Sequence, residues 1–291
     1  MSKKRYLFIV NPISGGKSKS KLESIIDGYL NPDQIQHEII YTEYPGHASQ
    51  IVNDKMDHFD VAVAVGGDGT VNEIASKLGD KKKPLAIVPM GSGNGLARHL
   101  KISLSPPNAV SALNEPKVKP LDTATLNGHF FISIAGIGFD SLIAAEFEKA
   151  KGRGFLTYAR LIVKEYFNYK EQPYLLQLDG HDHKRKAFMI VFANSDQFGY
   201  NTRIAPEADI CDSYLDVCIV RKPKLLQLPF LLWQVWTGKA NRSKFIETIK
   251  AQHIKVNQGD YHYANIDGES VKVGAEIEIE VKNKDLEVIL P

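Results

Sequence analysis

Cysteine is nearly missing from this chain: Cys211 and Cys218 are the only two among 291 residues. They share one strand-like stretch and have neither a zinc spacing nor the numbers for a disulfide framework, so a reduced, cytoplasmic setting is expected. Long apolar runs are missing too. No stretch approaches the roughly 20 apolar residues of a membrane-spanning helix. The apolar start Tyr6–Val10 stops at Asn11-Pro12, too soon for the core of a signal peptide, and reads as a first strand. Charge of one sign is not in excess, since Lys and Arg total 36 against 34 Asp and Glu. That balance gives no global field for nucleic acid, and no nucleic-acid partner is expected. Internal repeats and low-complexity tracts are absent. With 43% apolar residues the chain is no disordered tail.

What is present centres on Val61–Leu78. Val61 to Val65 are apolar and rich in valine, as in a short buried strand. Gly66, Gly67, Asp68 and Gly69 follow, which neither a strand nor a helix interior favours. Thr70 and Glu73 have the spacing of a capping box ahead of an apolar face at Val71, Ile74, Ala75 and Leu78, and Gly79 stands where a left-handed helix end is expected. Strand, glycine loop and helix start make a place for an anion, phosphate above all. The carboxylate inside the loop adds a role that a bare phosphate cradle lacks: holding a magnesium ion on a nucleotide.

Two further loops follow strands in the same way. Asn11-Pro-Ile-Ser-Gly-Gly-Lys-Ser18 imitates the end of a Walker A motif, but Asn11 occupies the first glycine's place. Met90-Gly-Ser-Gly-Asn-Gly95 has Gly-x-Gly-x-Gly spacing, not that of a dinucleotide fingerprint. Strands at Tyr6–Val10, Glu38–Thr42, Val61–Val65 and Pro84–Pro89 alternate with helical patterns through the first hundred residues, which predicts a parallel sheet with helices on both faces. Ligands bind such sheets at the carboxyl ends of the strands, where these loops lie.

Pro106–Pro120, with four prolines, reads as a boundary. Beyond it, Asn127-Gly128 and Asp179-Gly180 are two-residue hairpin turns. The first joins Thr123–Leu126 to Phe130–Ile134, and the second joins Leu175–Leu178 to Ala187–Phe192. Further strands are expected at Leu215–Val220, Ile254–Val256, Tyr261–Ile266, Ile277–Val281 and Leu286–Leu290, with helices near Ser141–Ala150 and Phe155–Phe167. Lys222–Lys239 stands apart, with large apolar side chains and lysines at both ends. It reads either as a buried helix or as an interfacial segment on a bilayer.

Read together and in order, these loops resemble the diacylglycerol kinase catalytic superfamily, which includes bacterial lipid kinases and the sphingosine and ceramide kinases. The matching stretches are Asn11–Gly15, Gly66–Glu73, Pro89–Asn94, Gly136–Asp140, Ile204–Ala208 with Asp212–Val217, and Asp267-Gly268-Glu269. The resemblance implies two domains: an α/β nucleotide-binding domain with a parallel sheet, and a mainly antiparallel β domain that binds lipid. Their expected extents are 1–122 with 284–291, and 123–283. It implies an ATP-dependent lipid kinase using Mg²⁺, cytoplasmic and in peripheral contact with a membrane, and able to form a homodimer. A diacylglycerol-like substrate is the first choice. A sphingoid base or ceramide-like lipid is the second, because the third loop continues as Asn94-Gly95 where diacylglycerol-kinase-like members have Asn-Asp.

By the same resemblance, ATP would lie against Asn11, Pro12, Ser14, Gly15, Lys17, Thr42, Gly66, Gly67, Asp68, Gly69, Thr70, Asn72, Ser92 and Asn94. Glu269 would accept the proton, with Asp68 the alternative base, and Asp267 and Asp68 would share the metal and phosphate work. Asp140 could meet a sphingoid amine. A structural magnesium site would use the Asp212 side chain and the carbonyls of Asp209 and Tyr214, although Ser213 replaces that site's usual glycine. The rival readings are an NAD kinase, which shares Gly66–Thr70, and a catalytically silent lipid- or nucleotide-binding protein.

Overall fold

The computed structural model describes residues 3–16, 21–79, 81–150, 155–258 and 263–291. The chain divides into two units, 1–121 with 284–291, and 122–283.

In the first unit β1 (Lys4–Val10), α1 (Leu22–Tyr29), β2 (Ile35–Tyr41), α2 (His47–Lys55), β3 (Val61–Gly66), α3 (Asp68–Ala75), β4 (Leu85–Pro89) and α4 (Gly95–His99) follow in turn. The strands pair in the order β2-β1-β3-β4, all parallel. Tyr6 to Val10, Val61 to Val65 and Leu85 to Val88 are buried throughout, as expected for strands covered by helices on both faces. The helices supply apolar stripes: Leu22 and Ile26 from α1, Ile51 and Val52 from α2, Val71 and Ile74 from α3. The proline-rich stretch expected as a boundary is ordered within this unit. Two of its four prolines open α5 (Pro106–Ser111), where they need no backbone donor, and Leu113 accepts a bond from the Tyr6 hydroxyl.

Two local expectations fail at α3. The helix starts at Asp68, so Thr70 lies inside its first turn, and the N-cap is Gly67, which has no side chain to cap with. Gly79 does not have a left-handed φ. A Cβ there would stand 3.1 Å from the Asp285 carboxylate, so close approach of the last strand accounts for the glycine.

The second unit begins within β5 (Lys117–Leu126). It continues with β6 (His129–Phe131), β7 (Ile134–Gly138), α6 (Phe139–Lys149), α7 (Phe155–Asn168), β8 (Gln172–Leu178), β9 (His181–Ala187), β10 (Met189–Ala193) and β11 (Leu215–Val220). Then come α8 (Leu228–Trp236), β12 (Ile246–Ala251), β13 (His253–Gln258), β14 (Tyr263–Ile266), β15 (Glu269–Lys272) and β16 (Glu276–Leu290). One antiparallel sheet runs β12-β11-β10-β7-β14-β15, and in another layer β8 pairs with β9 and β13, and β13 with the start of β16. Alternate residues of the two layers share one core, Leu176, Leu178, Ile254, Val256, Ile277 and Ile279 meeting Ile137, Ile190, Phe192, Val217 and Ile219. The opposite face of β11, Cys218 and Val220, packs in a second cluster with Ile204, Leu231 and Ile246. Cys218 is fully buried there, and burial pushes its thiol up to about 12, which makes it a core residue without thiolate chemistry.

The turns at Asn127-Gly128 and Asp179-Gly180 have positive φ at both positions, as two-residue hairpins require. The second hairpin, however, closes on β9 and not on Ala187–Phe192. Its partner, His-Asp-His-Lys-Arg-Lys-Ala, hides from a hydrophobicity reading because it is a solvated edge, and lysines on an edge discourage further pairing. The polar-rich β12 and β15 were missed for a similar reason. Of the stretch Tyr261–Ile266, residues 261 and 262 lie outside the described residues. The last two expected strands are one continuous strand, β16. Lys284 takes a φ of 50° at the residue where the chain passes from the second unit to the first, and Val288 then pairs parallel with Leu85.

Candidate active site

In the first unit the three small-residue loops interlock. Gly66 O accepts the amides of Met90 and Gly91 at 2.7 and 2.9 Å, which ties the loop after β3 to the loop after β4. A Cβ on Gly91 would fall 2.3 Å from the Gly67 Cα, and one on Gly15 would fall 2.2 Å from Met90 O. Gly15 also needs its positive φ of 66°. The glycines are therefore required partly for packing loop on loop, a reason that spacing alone does not reveal.

Asparagines hold the loops' shapes. Asn11 donates from Nδ2 to the Thr70 hydroxyl at 3.2 Å and accepts from Ile13 N at 3.1 Å, joining the first loop to α3. Asn94, left-handed at φ 50° and buried, exchanges two bonds with the backbone of Gly91. Ser14 donates to Asn11 O, and Thr42 N reaches Val10 O beside the same strand end. Pro12 and Ser92 are exposed, and Asn72 is half-buried on α3. Lys17 lies outside the described residues.

The first intrahelical bond of α3 runs from Val71 N to Gly67 O. The amides of Asp68, Gly69 and Thr70 thus precede the helix ladder, at an end carrying positive partial charge whose N-cap is Gly67. Asp68 is half-buried, and its Oδ1 accepts the Leu96 amide at 3.3 Å. Phosphate oxygens on the amides with a cation on the carboxylate is the chemistry this arrangement can hold.

In the second unit Asp267 and Gly268 form the two-residue turn between β14 and β15, with φ of 48° and 98°. The Asp267 carboxylate reaches back across the sequence and accepts the amides of Ile132, Ser133 and Ile134 at 2.9, 3.0 and 2.9 Å. Asn194 completes the pin by donating to the carbonyls of Asp122 and Ile132. Asp267 thus holds the β6–β7 connection, and Glu269 leaves the turn exposed to solvent.

Asp140, at the start of α6, is buried and accepts a 2.9 Å bond from Asn265 Nδ2. Burial pushes its carboxyl up to about 6, against which the Asn265 bond works. The folded form holds this proton more tightly than the unfolded chain, whose ordinary value is 3.8. Its contribution to stability is therefore complete below that value and is lost as pH rises through about 6. Asp140→Asn, which removes the buried charge, is expected to raise the melting temperature at pH 8. The gain corresponds to at most about 3 kcal/mol and shrinks towards nothing near pH 4. Thermal denaturation of both proteins across this range checks it; a gain independent of pH would contradict the charge as its cause.

The turn at Asp209, Asp212 and Tyr214 does not fit a divalent cation. Asp212 Oδ1 accepts Tyr214 N at 3.0 Å, and its Oδ2 meets the Lys250 ammonium at 2.5 Å. The Asp209 carbonyl accepts Asp212 N. The hydrogen bond to Asp212, with the charges of Asp216, Asp212 and Asp209, raises the Lys250 pKa against the effect of burial. That ammonium is the cation of this turn. Ser213 adopts the left-handed φ, 67°, that a glycine would take without strain, and its amide bonds to Asp122 Oδ2. Lys250, Asp122 and Asn194 were not foreseen, and only spatial pairing across tens of residues reveals them.

Residues 5–126 match the model of the diacylglycerol kinase catalytic domain, and 133–290 match that of the YegS C-terminal NAD kinase beta sandwich-like domain. A curated relative from Pectobacterium atrosepticum, named "Probable lipid kinase YegS-like", is 30% identical over 90% of this chain and 88% of its own. A protein from Bacillus subtilis named diacylglycerol kinase is 26% identical over 91% and 90%. Among solved structures, a diacylglycerol kinase from Bacillus anthracis superposes with a TM-score of 0.74 over 100% of this chain and 98% of that one. At 20% identity it bears on the fold alone.

Proposed function

This chain belongs to the diacylglycerol kinase catalytic family and is a lipid kinase, and from that premise we propose that it transfers the γ-phosphate of ATP to the hydroxyl of a diacylglycerol-like lipid. The observation that carries the reading is the interlock of the Asn11, Gly66 and Gly91 loops beside the amino end of α3, whose N-cap is Gly67. Magnesium on the nucleotide neutralises phosphate charge and aligns the transferred group.

The amides of Asp68, Gly69 and Thr70 would hold phosphate oxygens, and the Asp68 carboxylate would hold the metal. Asn11, Ser14, Lys17, Thr42, Asn72, Ser92 and Asn94 position the rest of the nucleotide. The lipid oxygen forms the new P–O bond as the bond to ADP breaks, and a carboxylate takes the hydroxyl proton. Glu269 is assigned to that task, with Asp68 the alternative. Positioning and charge neutralisation contribute more to the rate than the proton acceptor does. Asp267 enters as the residue that fixes the β6–β7 connection. The protein works in the cytoplasm at a membrane surface.

Asn94-Gly95 in the third loop favours a second reading, a sphingoid or ceramide-like substrate. One experiment separates them: ³²P-labelled ATP, Mg²⁺ and mixed micelles carrying diacylglycerol, sphingosine or ceramide, with NAD as a soluble control. Label is expected in phosphatidic acid, with transfer to the other acceptors at least about tenfold slower. Labelling of NAD alone, or of no lipid, would overturn the reading.

A further inference from the structure

Helix α8, Leu-Pro-Phe-Leu-Leu-Trp-Gln-Val-Trp, is apolar all round except for Gln234, and Gln234 is one of the two residues it buries. A helix of this composition belongs in a core or against lipid. Here Leu228, Leu231 and Val235 anchor it to two hydrophobic clusters of the second unit. The other side faces solvent: Phe230 is 56% exposed, Leu232 57% and Trp236 62%, and Leu226 in the preceding turn is 94% exposed. Trp233 and Leu225 are also exposed. Phe230 and Trp233 stack at 5.9 Å, so part of this face is an ordered aromatic surface. Neither of the two readings of the sequence was complete, because the helix is half core and half bare.

Along the sequence the charge that flanks it has one sign. From Val217 to Ile246 there is no aspartate or glutamate, while Arg221, Lys222, Lys224, Lys239, Arg242 and Lys244 are all cationic. Lys224 adjoins the exposed leucines, and the Lys239 ammonium lies 4.9 Å from the centre of the Trp233 ring. Indole beside ammonium is the pairing found at headgroup depth, where the ring meets acyl chains and the cation meets phosphate.

We propose that the outer face of α8 and the turn before it form a membrane-docking surface, seated in a bilayer leaflet rich in anionic phospholipid. Phe230, Leu232, Trp233 and Trp236 enter the acyl boundary while Lys224 and Lys239 meet headgroup phosphates. At nine residues α8 is too short to span, so the helix lies in the plane of the interface. The surface deepens the lipid-kinase reading by naming where the protein meets its substrate's membrane, and its test requires no turnover.

Both tryptophans of the chain are in this patch, so tryptophan emission, excited beyond the tyrosine absorption band, reports on it alone. With phosphatidylserine vesicles, which offer no alcohol to phosphorylate, emission is expected to shift to shorter wavelength, and brominated acyl chains are expected to quench it. Phosphatidylcholine vesicles should bind at least about tenfold more weakly, since they offer the lysines no net negative surface. Leu226→Glu should weaken vesicle binding by at least about tenfold, and so should the pair Lys224→Gln with Lys239→Gln, all with unchanged melting temperature. Unchanged emission with vesicles, or Leu226→Glu binding as the wild type does, would overturn the proposal. So would a solution dimer that shields both indoles from quenching and ignores vesicles. Failure of the micelle assay alongside intact vesicle binding would count against the kinase reading only.

Discussion

Asp68→Asn is expected to cut lipid phosphorylation by at least about 100-fold while leaving the fold intact. The two expectations rest on different atoms. Asp68 Oδ1 accepts the Leu96 amide that ties the α3 and α4 loops together, and an asparagine keeps an oxygen there. What the substitution removes is charge, at the helix end where phosphate and cation are to be held. Removing one preorganised electrostatic partner from a transition state costs roughly 10²–10³ in turnover in characterised enzymes. Melting within a few degrees of wild type, with kcat reduced and lipid binding kept, is the expected pattern. Asp68→Ala loses both functions and should melt lower as well. Retention of activity in Asp68→Asn would remove this carboxylate from the phosphate site.

The second large effect is on stability. Asp267→Ala strips three amides, those of Ile132, Ser133 and Ile134, of their acceptor in one step. An unsatisfied buried donor costs about 1–3 kcal/mol, so the loss for three is on the order of 3–9 kcal/mol and comparable with the whole stability of many domains. Asp267→Asn should fall between, because Oδ1 alone serves two of the three amides and a remaining oxygen can keep that role. Chemical denaturation read from the second unit measures this ranking. A stable Asp267→Ala without activity would instead move Asp267 to the metal and phosphate work that the sequence resemblance assigned it.

These two aspartates show what was legible in the chain and what was not. Asp68 sits in a contiguous pattern of strand, glycines and helix, and local physics identifies such a place without neighbours. Asp267 lies in an Asp-Gly pair that reads as a turn, which it is, but its carboxylate acts on residues about 130 positions earlier, and no local pattern encodes that. The glycine loops were read as phosphate cradles, yet their mutual contacts, Gly91 on Gly67 and Gly15 on Met90, were hidden for the same reason. The expected start of α3 lies three residues too late because Thr70 and Glu73 mimic a capping box, whereas Gly67 is the N-cap. In the structure Thr70 instead accepts from Asn11, across a sequence gap of 59.

The second unit was legible where hydrophobic alternation is strong, as in β8 and β13, and illegible where a strand is an edge. Polar β9 is held by its ladder to β8 and by the turn at Asp179-Gly180, not by burial. The turn at Asp212 carried its own warning in Ser213, whose left-handed backbone departs from glycine. The answer to that warning, the ammonium of Lys250, lies 38 residues away.

Hydrogen exchange with and without Mg²⁺ and a non-hydrolysable ATP analogue tests the central claim, that the three interlocked loops hold the nucleotide. Slowed exchange is expected in peptides covering 11–16, 66–72 and 90–96 together, because the loops share bonds and close contacts, and in the wild type far more than in Asp68→Asn. Protection of one loop alone, or protection elsewhere in the first unit with all three loops unchanged, would contradict it.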